Sequence, residues 1–144
     1  MNKYIPIITT SFFLLIFTYV DVYANNLFFE EGKKLFDKKK YTDSKFYFEK
    51  DIVFNPKSEN SYLYLAKIFK KEENDNFEKN NLNTVLLLNP KNEEAIYLLT
   101  ILNIKQSNFS KAKELLDTLV MVCKKMCSSK IELKEKLDIS QKSK

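Results

Sequence analysis

At 144 residues, 44% hydrophobic and 14% aromatic, the chain is long enough to pack one domain. Its 24 Lys+Arg against 19 Asp+Glu leave a net charge of +5, basic but interspersed, without the clustering of a nucleic-acid surface. One Gly and three Pro argue against a many-turned β fold, and the absence of His removes the commonest general base and metal ligand, which argues against an enzyme, a metal site or a cofactor.

The chain opens with Lys3, an apolar run from about Ile5 to Val20, and the small-residue exit Val22-Tyr23-Ala24. That order is the pattern of a secretory signal peptide, so residues 1–24 are expected to be removed after Ala24. The alternative is a retained membrane anchor. Between Lys3 and Asp21 lie 17 uncharged residues, the lower limit for a bilayer span, diluted by Pro6, Thr9, Thr10 and Ser11. The expected location is outside the cytoplasm, periplasmic in a bacterium, with membrane contact only through an uncleaved signal.

Further along, Phe54-Asn55-Pro56 returns 34 residues later as Leu88-Asn89-Pro90. Each copy ends an apolar run, Ile52-Val53-Phe54 and Val85-Leu86-Leu87-Leu88. Proline lacks the amide hydrogen and clashes with the preceding turn, so both mark helix ends. Upstream of each stop stands a small residue, Gly32 and then Ala66, in the same phase. This period and these residues resemble the tetratricopeptide repeat (TPR), a helical hairpin that stacks into arrays. The resemblance covers most of the chain. It implies an all-α, short right-handed solenoid of three hairpins over residues 25–138, with repeats at about 25–58, 59–92 and 93–126.

In repeat one, Phe28, Phe29, Gly32, Leu35 and Phe36 lie at helical spacing, with Tyr41 at the turn and Phe46, Phe48, Ile52 and Phe54 facing inward from a second helix. Asp51 stands where the pattern prefers Ala, and is expected to splay the pair or turn outward. Repeat two has the stripe Tyr62, Leu65, Ala66, Phe69. Its turn departs: Asp75 replaces an aromatic, Phe77 comes two residues late and Glu78 replaces a small residue, which suggests a longer loop and a shorter second helix. Repeat three carries Ile96, Leu99, Ile101 and Leu102, then Phe109, Ala112, Leu116 and Leu119, with Lys124 in place of the terminal proline. Ser129 and Glu132 form a capping-box pattern before a capping helix at 130–138, seated by Ile131, Leu133 and Leu137; residues 139–144 read as a flexible tail.

Cys123 and Cys127 are the two cysteines. In an oxidising compartment such a pair reads first as a disulfide, although two cysteines inside one straight helix seldom meet disulfide geometry. Their place at the end of the third hairpin allows a loop to supply the angle. Similar Cys-x3-Cys elements before an acidic residue and a leucine-containing helix occur in exported tetratricopeptide proteins of alphaproteobacteria. The matching residues here are Cys123, Cys127, Glu132 and Leu133, with Met126 where those proteins carry Gly. A redox couple working as a thiol–disulfide accessory is the alternative, but the spacing is not Cys-x-x-Cys and no βαβ pattern surrounds it. A zinc site would lack two ligands.

Arrays of this family present their first helices along a concave groove that takes a peptide. The resemblance places Phe29, Lys33 and Phe36 there from repeat one, then Leu63, Tyr64, Lys67, Lys70 and Lys71, then Tyr97, Ile101 and Lys105. Aromatics interleaved with lysines suit an apolar protein segment carrying acidic residues. Phe29 and Leu63 stand where a carboxylate-gripping groove needs polar residues, which argues against that mode. The expected function is a non-enzymatic, exported interaction module, an adaptor in an envelope complex.

Overall fold

The computed structural model describes residues 27–142. The signal segment, its Ala24 exit and the retained-anchor alternative fall outside them. Among the described residues the chain is helix and turn, divided by its internal contacts into two compact units that meet at Pro56 and Lys57.

The first unit is one hairpin, α1 (residues 27–37) and α2 (Tyr41–Phe54). Gly32 lets the helices touch: a Cβ there would lie 2.9 Å from Cδ1 and Cε1 of the fully buried Phe48. The Ser44 hydroxyl donates to the Gly32 carbonyl at 2.8 Å, fixing the same approach with a buried hydrogen bond. Phe28 stacks on Phe54 and Phe29 tilts against Phe48, with centroids 5.4 and 5.8 Å apart. Asp51 is fully buried rather than turned outward, because it holds the phase of Val85 and Leu119, both core residues. Phe46 and Phe54, expected inside, are 60% exposed.

The second unit contains α3 (Glu59–Lys71), α4 (Asp75–Leu88), α5 (Glu93–Lys105), α6 (Phe109–Val122) and α7 (Ser129–Lys142). Hairpins α3–α4 and α5–α6 share a core of Leu63, Ala66, Leu82, Val85, Leu99, Leu116 and Leu119 with neighbouring residues, closed by Leu133 and Leu137 of α7. Thr100 and Asn103, polar at positions of that core, turn their side chains back to the carbonyls of Ile96 and Leu99 at 2.8 and 2.7 Å. Their burial therefore leaves no donor stranded.

All three hairpin turns are built alike, and no glycine marks them. Lys39, Glu73 and Ser107 adopt φ of 60°, 55° and 60°. After each, the next amide reaches back to the first helix: Lys40 to Leu35, Asn74 to Phe69 and Asn108 to Asn103, at 3.0, 2.9 and 2.8 Å. This six-to-one bond, paired with the bonds from Lys39, Glu73 and Ser107 to Phe36, Lys70 and Ile104, is the Schellman closure. The three left-handed residues are spaced 34 apart, so the backbone keeps the repeat where side chains do not.

Repeat two is accordingly regular, against the expectation of a longer loop and a shorter helix. Helix α4 has 14 residues, as do α2 and α6. Its start is set by the Schellman turn and by Asn74, whose side chain accepts from the Phe77 amide. An aromatic at position 75 is not needed: Phe77 stacks on Phe69 at 5.0 Å and supplies the ring. Helix α7 also departs from expectation. It runs to Lys142 rather than ending at Asp138, and Ile131 is 59% exposed while Leu133 and Leu137 are buried. Leu133 continues the phase of Leu65 and Leu99, and Leu137 that of Phe69 and Asn103, so α7 starts a fourth unit in register. Lys134 then stands where Gly32, Ala66 and Thr100 admit a second helix.

Candidate peptide-binding face

In the first unit, the three groove candidates are engaged within their own hairpin. Phe29 packs on Phe48, Phe36 lies edge-on to Tyr41 at 5.3 Å, and the Lys33 ammonium is 3.1 Å from Asp37. In the second unit, Leu63 is not a groove residue; it is buried in the core. Ile101 is half-buried against that core, Lys70 is exposed, and Lys71 ends α3 on the surface.

Of the remaining candidates, Tyr64, Lys67 and Tyr97 join a polar ladder completed by Glu94, Glu132 and Lys136. The Lys67 ammonium sits 4.6 Å from the Tyr64 ring centroid and 2.7 Å from the Glu94 carboxylate, tying α3 to α5. The Tyr97 phenol donates to both oxygens of Glu132 at 3.2 and 3.3 Å, and the Lys136 ammonium lies 2.7 Å from the same carboxylate, tying α5 to α7. Lys136 and Tyr97 hold Glu132 below the usual carboxylate range, with the Lys136 bond the larger cause. Burial, then Glu132, pushes the Tyr97 phenol up. Glu132 thus faces α5 rather than reaching back to Ser129 as a capping box. Lys105 pairs with Asp75 at 2.6 Å, a bond that raises its pKa, and lies at the α4 end rather than with Tyr97. Each of these lysines has a carboxylate beside it, so the face is alternating in charge, not uniformly basic.

Below this ladder the two connections after α4 and α6 are gripped by the first residue of a helix. Glu59 accepts from the side-chain amides of Asn89, at 3.0 Å, and Asn92. Glu93, one period later, accepts from backbone amides instead: Lys124 at 2.9 Å, Lys125 at 3.0 Å and Met126 at 2.7 Å. These bonds, Met126 first, lower the Glu93 pKa. Pro90 has no amide to offer at the place of Lys124, which is why the two grips differ. Across the second loop Cys123 and Cys127 are joined in a disulfide with Cα atoms 5.2 Å apart. Helix α6 stops at Val122, so the bridge spans a loop and escapes the helical geometry that would have opposed it.

No protein-family model matches the chain, and no curated protein sequence matches it. Solved structures do. The first TPR of Spaghetti (RPAP3) bound to the HSP90 peptide SRMEEVD is 15% identical, with a TM-score of 0.71 over 80% of this chain and 91% of that one. The TPR2B domain of yeast Sti1 in a pHsp70 complex is 18% identical, with a TM-score of 0.70 over 83% of this chain and 98% of that one. The type III secretion chaperone SycD of Yersinia enterocolitica, in complex with a peptide of the translocator YopD, is 10% identical, with a TM-score of 0.70 over 81% and 91%. The chain has the fold of tetratricopeptide-repeat domains, held by a 34-residue backbone period despite low identity.

Proposed function

We propose that this chain is a non-enzymatic interaction module whose second unit takes a segment of a partner protein along the face of α3, α5 and α7. The observation that carries the reading is the ladder Tyr64–Lys67–Glu94 and Tyr97–Glu132–Lys136, half-buried aromatic rings with charged groups beside them on successive first helices. Two structures of similar fold hold peptides, the first RPAP3 TPR one from HSP90 and SycD one from YopD. The ladder favours a segment with apolar side chains for Tyr64, Tyr97 and Ile101, and acidic ones for Lys70 and for Lys67 once Glu94 gives way. Export to an envelope compartment is part of the same proposal, supported by the signal pattern of residues 1–24 and by a disulfide suited to an oxidising environment.

The test is selection of peptides from a displayed random library against the whole chain, followed by amide-exchange mapping of the bound site. Protection centred on Tyr64–Lys71 and Tyr97–Lys105, lost in Tyr64→Ala/Ile101→Glu, is the expected result. Binding that maps to the opposite helices α4 and α6, or selects no consensus, refutes it. Intact-mass measurement of the exported protein, expected to begin at Asn25, checks the location.

A further inference from the structure

The Cys123–Cys127 bridge lies in the connection that leads into α7. The loop is held by two devices: the disulfide, and the three backbone amides of Lys124, Lys125 and Met126 converging on Glu93. The helix it delivers is seated by Leu133 and Leu137, with the rest of its length exposed or half-exposed, and is tied by Glu132 to Tyr97. Earlier connections use the stiff Asn-Pro pair at this place, and here Lys124 has replaced the proline. A covalent constraint that can be undone stands where the chain elsewhere uses one that cannot. Both cysteines are half-exposed, Cys123 also packing against the core, and access is one of the factors that set the rate of thiol exchange.

We infer that the Cys123–Cys127 disulfide is a redox latch on α7, so that reduction releases the helix, and with it Glu132 and Lys136, from Tyr97 on α5. In the reducing step one thiolate of a dithiol donor attacks one sulfur of the bridge, forming a mixed disulfide and expelling the other cysteine as its thiolate. The donor's second thiolate then attacks the donor's own sulfur in that disulfide and expels the remaining cysteine. The bridge gains two electrons and two protons to become two thiols, and the donor leaves as its own disulfide. The loop then depends on Glu93 and on its own turn hydrogen bonds, such as that from the Ser129 amide to the Met126 carbonyl at 3.0 Å. Leu133 and Leu137 then seat the helix with its entry unconstrained, and because a lone short helix is marginal in water it opens more often. The inference stands on the second unit's own geometry and is read without any partner, so it can fail while the binding proposal survives.

Amide hydrogen exchange of the whole chain, oxidised and after treatment with dithiothreitol, tests it. Residues 129–142 should exchange roughly thirty-fold faster when reduced, the factor expected for opening so short a covalent loop. Amides of α3 and α4 should keep their rates. Cys123→Ser/Cys127→Ser should reproduce the reduced pattern without reductant. Glu93→Gln separates a latch from a mere staple: it should add little in the oxidised chain and accelerate α7 several-fold further in the reduced one. Equal α7 protection in both redox states overturns the inference, as does loss of protection spread evenly over α3 to α7.

Discussion

Replacing Gly32 by Ala probes the closest helix contact in the first unit. Alone, the substitution favours the helix by about 0.5–1 kcal/mol, because Gly loses more backbone freedom on folding. Against this, the new methyl would sit 2.9 Å from two ring carbons of Phe48 and 3.2 Å from a third. The ring cannot swing aside: Phe48 is fully buried, Phe29 packs on it, and the Ser44–Gly32 bond holds the backbones together. Overpacking of this kind costs about 1–3 kcal/mol, so Gly32→Ala should destabilise by up to about 2.5 kcal/mol. Repeat two offers the compensation. Ala66 and Leu82 hold the phases of Gly32 and Phe48, pairing a larger first-helix residue with a smaller second-helix one. Gly32→Ala/Phe48→Leu should therefore be more stable than the sum of its single changes by about 1 kcal/mol. Urea denaturation followed by circular dichroism measures all four chains. A Gly32→Ala variant more stable than the parent, or a double variant whose changes simply add, would falsify the close-packing account.

Four further outcomes follow from other elements. Glu73→Gly and Ser107→Gly each remove a side chain from a left-handed turn and should stabilise by about 0.5–1 kcal/mol, readable as a rise in denaturation midpoint. Leu133→Ala should destabilise by about 2–5 kcal/mol, whereas Ile131→Ala, at an exposed position of the same helix, should stay within about 0.5 kcal/mol. Glu93 and Glu132 have pKa values below the ordinary carboxylate value, so their contribution is full above that value and lost as pH falls through their folded ones. Acid titration of stability should accordingly be shallower in Glu93→Gln/Glu132→Gln than in the parent. Glu78 has the opposite sign, its pKa raised chiefly by burial, so its charged form weakens the fold as pH rises above the unfolded value. Glu78→Gln should gain stability relative to the parent at pH 7 and lose that advantage towards pH 4, in paired melting curves.

How the site reads depends on which residues are near in sequence. Tyr64 and Lys67 are legible because three positions along a helix place side chains on one face. Their completion by Glu94, and the partnership of Tyr97 with Glu132, join residues 27 and 35 apart, which no local pattern relates. The groove lysines Lys33, Lys67 and Lys105 each meet a carboxylate that the fold sets beside them, Asp37, Glu94 and Asp75. The resemblance places Leu63 in the groove, but packing against the core buries its side chain.

The sequence by itself determined the period, the hairpins and their ends, since apolar spacing and two Asn-Pro stops act on the backbone locally and need no partner. Only the tertiary structure decided the rest. The turns became regular without glycine because the long-range core of each hairpin stabilises the left-handed residues that local preference disfavours. Asp51 and Glu78 were carried inside by the helices that bear them. The loop after α6 was shaped by Glu93, 31 residues before Lys124, together with the disulfide. Helix ends are written in neighbouring residues; which charge meets which is settled when the helices pack.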